Sequence, residues 1–207
     1  MTTLNNHYIV SMRLLIGAFI LSTLVGCEAR QQAATVDYDA AYPLERGGSL
    51  VEATRGEPSG LIPMIAGESA ASAVAANIFN SLLKYDKNLE LEGELAKSWQ
   101  VSPDQKTITF TLKPGLKWAD GQPLTSADVL FTWKLVTDDN TRTPYGADYK
   151  LVATAEAPDP LTFRVTYPQP YAPALDSWAG LQILPEHLLK GQDINTTAFR
   201  RNPVGSH

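Results

Sequence analysis

The sequence predicts an α+β domain, and three observations carry that prediction. Two runs alternate apolar with polar residues at strand period: Ile108, Phe110 and Leu112 against Thr107, Thr109 and Thr111, then Leu161, Phe163, Val165 and Tyr167 against Thr162, Arg164 and Thr166. Two other stretches place apolar residues at helical spacing, Ala71 to Leu83 and Val129 to Val136. Turn-forming pairs separate these runs at close intervals, so neighbouring strands should pair as local hairpins rather than through long crossovers.

At the start of the chain, Leu14–Val25 is an uncharged run of twelve residues behind Arg13. A bilayer core about 30 Å thick needs about 20 residues to cross, so the run fits the apolar region of a secretory signal better than a membrane span. Leu24-Val25-Gly26-Cys27 holds the only cysteine of the 207 residues. It resembles the bacterial lipobox, which implies cleavage before Cys27 and attachment of diacylglycerol and acyl chains to its sulfur. Residues 1–26 are thus expected to be a lipoprotein signal peptide. Acyl chains contribute roughly 0.8 kcal/mol per buried methylene and would anchor an exported body at the cell envelope, on the periplasmic or outer face of a membrane. Residues 27–47 lack a sustained period and are expected to form a tether.

Beyond Gly47-Gly48, residues 49–54 (SLVEAT) alternate like a strand. Residues 56–69 (GEPSGLIPMIAGES) hold two prolines and three glycines and are expected to be a loop. Ser69 is the expected N-cap of a helix that buries Ala71, Val74, Ala75, Ile78, Phe79, Leu82 and Leu83 and ends near Lys84-Tyr85. Glu90, Glu92 and Glu94 alternate on one side of an extended stretch, as a solvated edge would. Pro103-Asp104, Pro114-Gly115 and Asp120-Gly121 mark turns. Thr125-x-x-Asp128 is a capping-box variant opening the helix that carries Val129, Leu130, Trp133 and Val136. Leu184–Leu189 suggests a short helix with Pro185 in its first turn, stopped by Gly191.

The body is acidic. Without residues 1–26, which hold Arg13 and no acid, 16 basic residues face 22 acidic ones, a net −6. With no Lys/Arg cluster, a nucleic acid is not an expected partner. Nor is an enzymatic constellation visible. His7 lies in the signal, His207 is terminal, and His187 sits in a short helix without a nucleophile nearby, where a solvated or capping role fits it. With Cys27 acylated and no paired His or Cys spacing, no metal site is expected. Asp138-Asp139-Asn140 lacks the alternating carboxylates and glycine of a calcium loop and suits a polar loop. No protein cofactor is implied.

Thr109–Val136 (TFTLKPGLKWADGQPLTSADVLFTWKLV) resembles the signature of the family 5 extracellular solute-binding proteins, which include oligopeptide- and dipeptide-binding proteins of ABC importers. Lys113-Pro114-Gly115, Lys117-Trp118-Ala119-Asp120-Gly121, Pro123-Leu124-Thr125-Ser126 and Asp128-Val129 all fit its pattern. Residues 79–99 and Asn202–Gly205 are similar to two further blocks of the family. Most of the signature reads as scaffold: Trp118, Asp120-Gly121, Pro123 and the cap set a turn and start a helix, and Trp99, Trp133 and Trp178 suit a core.

The resemblance implies a periplasmic-binding-protein-like class II fold, a peptide or other small solute as ligand, ABC permease and ATPase subunits as partners, and the membrane through the lipid anchor. Residues 48–69 would open the main lobe, 70–190 would form a small appended α+β domain, and 191–207 would return to the main lobe. Family members are longer, and the second lobe would be missing here, so residues 27–207 alone are expected to bind peptide weakly or not at all. Nickel complexes, sugars or signalling peptides are alternative cargoes. A non-transporting lipoprotein interaction module, or an inactive truncated relic, is the alternative from another class. For ligand contact the resemblance points to the loop Ala66-Gly67-Glu68-Ser69, where Glu68 could pair with a cationic group or simply cap the next helix, and to Tyr145 as an aromatic facing the ligand.

Overall fold

The computed structural model describes residue 51 and residues 56–206. The expected signal, Cys27 and the tether lie outside them, as does the strand expected over 49–54 apart from Val51, which is exposed and in no regular element.

A 3-10 turn, Pro63–Ile65, interrupts the expected loop and buries Pro63 and Met64. Helix α1 spans Ser69–Ala76, with Glu68 rather than Ser69 at the N-cap and no side-chain cap. It stops well short of Lys84-Tyr85. Asn77 donates its side-chain amide to the Ala73 carbonyl at 2.9 Å. The following carbonyls are then taken by distant partners: Ile183 N–H donates to Asn80 O at 2.9 Å, Leu95 N–H to Ser81 O at 3.1 Å, and Glu94 and Ala96 N–H to Leu82 O at 3.0 Å each. Leu82 and Leu83 are still fully buried. The apolar spacing therefore identified buried residues but not their conformation, because long-range hydrogen bonds replaced the helical ones.

β1 (Leu83–Tyr85) pairs antiparallel with β2 (Leu91–Gly93). A side chain at Gly93 would place its Cβ 2.2 Å from the Ala96 carbonyl, so the turn into the next strand requires glycine here. The main sheet has the order β3-β4-β6-β5, all antiparallel, from β3 (Ala96–Val101), β4 (Thr107–Leu112), β5 (Thr154–Asp159) and β6 (Thr162–Thr166). Both alternating runs form strands as expected. Ile108 pairs with Val165 and Phe110 with Phe163 on the buried face. The opposite face carries threonines, with the Thr107 and Thr166 hydroxyls 3.2 Å apart.

Helix α2 (Ser126–Thr137) packs on β5 and β6. Its capping box forms as expected: Thr125 accepts from Ala127 N–H and Asp128 Oδ2 accepts from Thr125 N–H at 2.8 Å. Val129 and Val136 are fully buried, while Leu130 and Trp133 are half-buried. Three short helices follow: α3 (Gly146–Tyr149), α4 (Ala174–Gly180) and α5 (Glu186–Leu189), the last preceded by Pro185. Gly191 ends this stretch with φ +80°. A final 3-10 turn, Ala198–Arg200, brings Arg200 O to Leu61 N–H at 2.9 Å.

Several side chains do specific jobs in this scaffold. Glu94 is not a solvated edge residue, because it accepts from Asn80 Nδ2 at 2.9 Å and from Ser81 N–H at 2.7 Å. Glu92 pairs with Lys84 across the hairpin at 3.2 Å. His187 Nε2 lies 2.8 Å from Asp120 Oδ2, clasping the turn before α2 to α5. The His187 contact, with a further bond from Gln122 N–H, holds the Asp120 carboxyl below its ordinary range. Asp138 accepts from Asn140 N–H at 2.8 Å and so forms the expected polar loop.

Candidate functional site

Sequence-distant segments line an open cavity of about 470 Å³. That size suits a small ligand or a peptide side chain with its flanking backbone. Pro63 and Met64 contribute to it from one side, Ser72 of α1 and Val136 of α2 from the two longer helices, and Pro144, Tyr145 and Ala147–Tyr149 with Ser177 and Gly180–Gln182 complete it.

Local chemistry explains how Tyr145 reaches this place. Asn195 holds the preceding loop from outside, accepting from Arg142 N–H and donating to Asn140 O, both at 2.9 Å. Thr143 Oγ1 accepts from Tyr145 N–H at 3.1 Å. Gly146 follows because a Cβ there would sit 2.8 Å from the Val136 carbonyl, so the chain must pass close to the end of α2. Tyr149 then ties α3 to α4, donating from its hydroxyl to Ser177 O at 2.7 Å, while Trp133 Nε1 donates to Tyr149 O at 3.2 Å. Burial drives the Tyr149 phenol far above its ordinary value, so it stays protonated as a donor. Tyr145 itself is 49% exposed.

The candidate residues separate cleanly. Tyr145 lines the cavity; Gly67, Glu68 and Ser69 do not. Gly67 is exposed, and a Cβ on it would meet nothing within 4 Å. Glu68 is turned to its own loop, where Oε1 accepts from Ser59 N–H at 2.5 Å. That backbone bond is the main reason its carboxyl lies below the usual range, with Arg200 adding a smaller attraction. Ser69 is an exposed first residue of α1.

Ser72 and Asp148 line the cavity without having been singled out from the sequence. Tyr145 and Asp148 are three residues apart, a spacing that puts two side chains on one helical face, and this was the available signal. Gly180–Gln182 carried none.

A shallower hollow of about 320 Å³ lies at Pro123, Thr125, Asp128, Glu186 and His187. Its polar groups are committed to one another, since Asp128 also accepts from Glu186 N–H at 3.0 Å. Among the described residues no trio of His, Cys, Asp and Glu is placed to hold a metal ion, and no helix is long and apolar enough to cross a membrane.

The profile of the family described as "Bacterial extracellular solute-binding proteins, family 5 Middle" matches residues 90–206. Protein XP55 of Streptomyces lividans is 37% identical over 164 residues, covering 78% of this chain and 29% of its own length. Among solved structures, NikZ from Campylobacter jejuni in complex with Ni(L-His) aligns with TM-score 0.68 and 27% identity, over 73% of this chain and 30% of that one. Haemophilus influenzae OppA in complex with RPPGFSPFR aligns with TM-score 0.64 and 28% identity, over 72% of this chain and 33% of that one. The chain thus spans about 30% of the length of these relatives.

Proposed function

The chain belongs to the bacterial extracellular solute-binding proteins of family 5, and on that premise we propose that it serves as the substrate-binding component of an ABC importer for oligopeptides or dipeptides. Its partners are then a permease and an ATPase, and its body is exported and held at the cell envelope by lipid on Cys27. Within such a protein these residues supply one wall of the ligand site rather than the whole of it. The peptide reading rests on one observation above the rest: the open cavity of about 470 Å³ with the half-exposed Tyr145 on its wall. A rigid aromatic gives contact area at low entropic cost and tolerates many side chains, as broad peptide capture requires.

Titrating acetyl-trialanine amide into the isotopically labelled full chain should move the amide resonances of Met64, Tyr145 and Gly180, with an affinity on the order of millimolar. Tyr145→Ala should weaken that affinity about fivefold, in keeping with a loss of roughly 1 kcal/mol for one aromatic contact, whereas Tyr145→Phe should retain it. Unmoved resonances would remove the peptide reading. Anchoring is tested separately. The protein made in a bacterial host should incorporate labelled palmitate and lose the label on Cys27→Ser. Equal labelling of the two proteins would refute the anchor.

A further inference from the structure

The lining of the cavity carries one formal charge, the carboxylate of Asp148. Most described aspartates have an evident local job: Asp86, Asp104, Asp138, Asp159 and Asp193 each accept from the N–H of a turn, and Asp139 takes Lys150 Nζ at 2.5 Å. Asp148 has neither kind of partner among the described residues. Lys150, the nearest lysine in sequence, is already committed to Asp139. The polar neighbour of Asp148 is the Tyr171 hydroxyl, whose phenol is raised by burial first and then by the Asp148 charge. That charge is not cancelled locally, and Tyr145 presents its ring one helical turn away on the same wall.

We propose that Asp148 makes this cavity a subsite for a cationic group, taking the guanidinium or ammonium of a basic peptide side chain against the ring of Tyr145. The proposal rests on the peptide reading of the same cavity. A carboxylate attracts the cation and the π-face adds to that attraction; Asp148 and Tyr145 are both exposed, so solvent screening keeps the effect modest. A planar guanidinium suits both partners, because it can pair with a carboxylate edge while lying flat on a ring. Asp148, not Glu68, is therefore the carboxylate that faces the ligand.

The test compares acetyl-arginine methylamide with its uncharged near-isostere acetyl-citrulline methylamide, titrated into the full chain and followed at the amides of residues 145–149. Arginine should bind about fivefold more tightly, and Asp148→Asn should bring the two probes within about twofold. Raising the salt to about 0.5 M should shrink the difference in the unmodified chain, since the attraction is then screened. Asp148→Asn removes no turn hydrogen bond, so an unchanged thermal melt is expected and checks that the fold is intact. Equal binding of the two probes, or a preference that survives Asp148→Asn, would overturn the subsite. If acetyl-trialanine amide still moved the same resonances, the peptide reading would stand without it. A response to the arginine probe alone would keep a cation-binding site here and remove broad peptide capture by the cavity. Silence of all three probes would remove both.

Discussion

Trp178→Ala should lower the stability of the described fold by about 3–5 kcal/mol, the range for removing a fully buried large aromatic. Trp178 has no exposed surface, and its ring stands 5.2 Å from Phe163, 5.9 Å from Phe110 and 5.8 Å from Tyr149, centroid to centroid. It thus joins α4 to both central strands and, through Tyr149, to α3. Its Nε1 donates to the Tyr167 hydroxyl at 3.2 Å. Burial pushes the Tyr167 phenol up to about 12 although the indole N–H favours the phenolate, so this pair remains a neutral hydrogen bond at ordinary pH. Loss of the ring leaves a cavity on four elements and an unpaired hydroxyl, and no neighbouring side chain can fill both roles. Trp178→Phe keeps most of the packing and should cost less than half as much. Urea midpoints at fixed slope measure the difference. A loss below about 1 kcal/mol for the alanine variant would show that this aromatic cluster does not organise the fold.

Asp128→Ala should cost about 2–4 kcal/mol, because one carboxylate serves two backbone donors that nothing else can reach. Oδ2 closes the capping box on Thr125 N–H, and Oδ1 accepts from Glu186 N–H, fixing α5 to the start of α2. The residue is buried, and burial outweighs these two bonds, so its pKa lies above the unfolded value of 3.8. The sign follows directly. Between that value and the raised native one the folded state holds more proton than the unfolded state, so this group makes stability fall as pH rises through the window. Asp128→Asn, with one oxygen and no charge, should cost less than alanine and should flatten that segment of the stability-pH curve. Denaturant melts from about pH 3.5 to about pH 6 check both points. An alanine variant as stable as the parent would mean that the two donors find water instead.

Where local chemistry governs, the structure was legible residue by residue. Thr107–Leu112 and Thr162–Thr166 alternate and form strands. Thr125 and Asp128 form their box, and Gly115 and Gly121 take positive φ at the expected turns. Family membership was legible too, because the quoted blocks keep their order along the chain and match as a profile over residues 90–206. Of the residues singled out for ligand contact, Tyr145 lines the cavity, whereas Glu68, for which a ligand contact and a helix-capping role were both open, accepts from Ser59 N–H.

Other features depended on groups far apart in sequence. The segment after Ala76 had a helical apolar pattern, yet its carbonyls bond to Leu95, Ala96 and Ile183, and β1 forms where a helix was expected. Glu94 looked solvated until Asn80 and Ser81 folded against it. The cavity needs Met64, Tyr145, Asp148 and Leu181 together, and no local pattern encodes their meeting. By itself the sequence determined β4, β6, the capped helix and the family, since hydrophobic period and capping act over a few residues. Only the tertiary structure decided where the first helix ends, which carboxylate lines the cavity and which segments form its walls, because each is settled by competition for hydrogen bonds and space between segments distant along the chain.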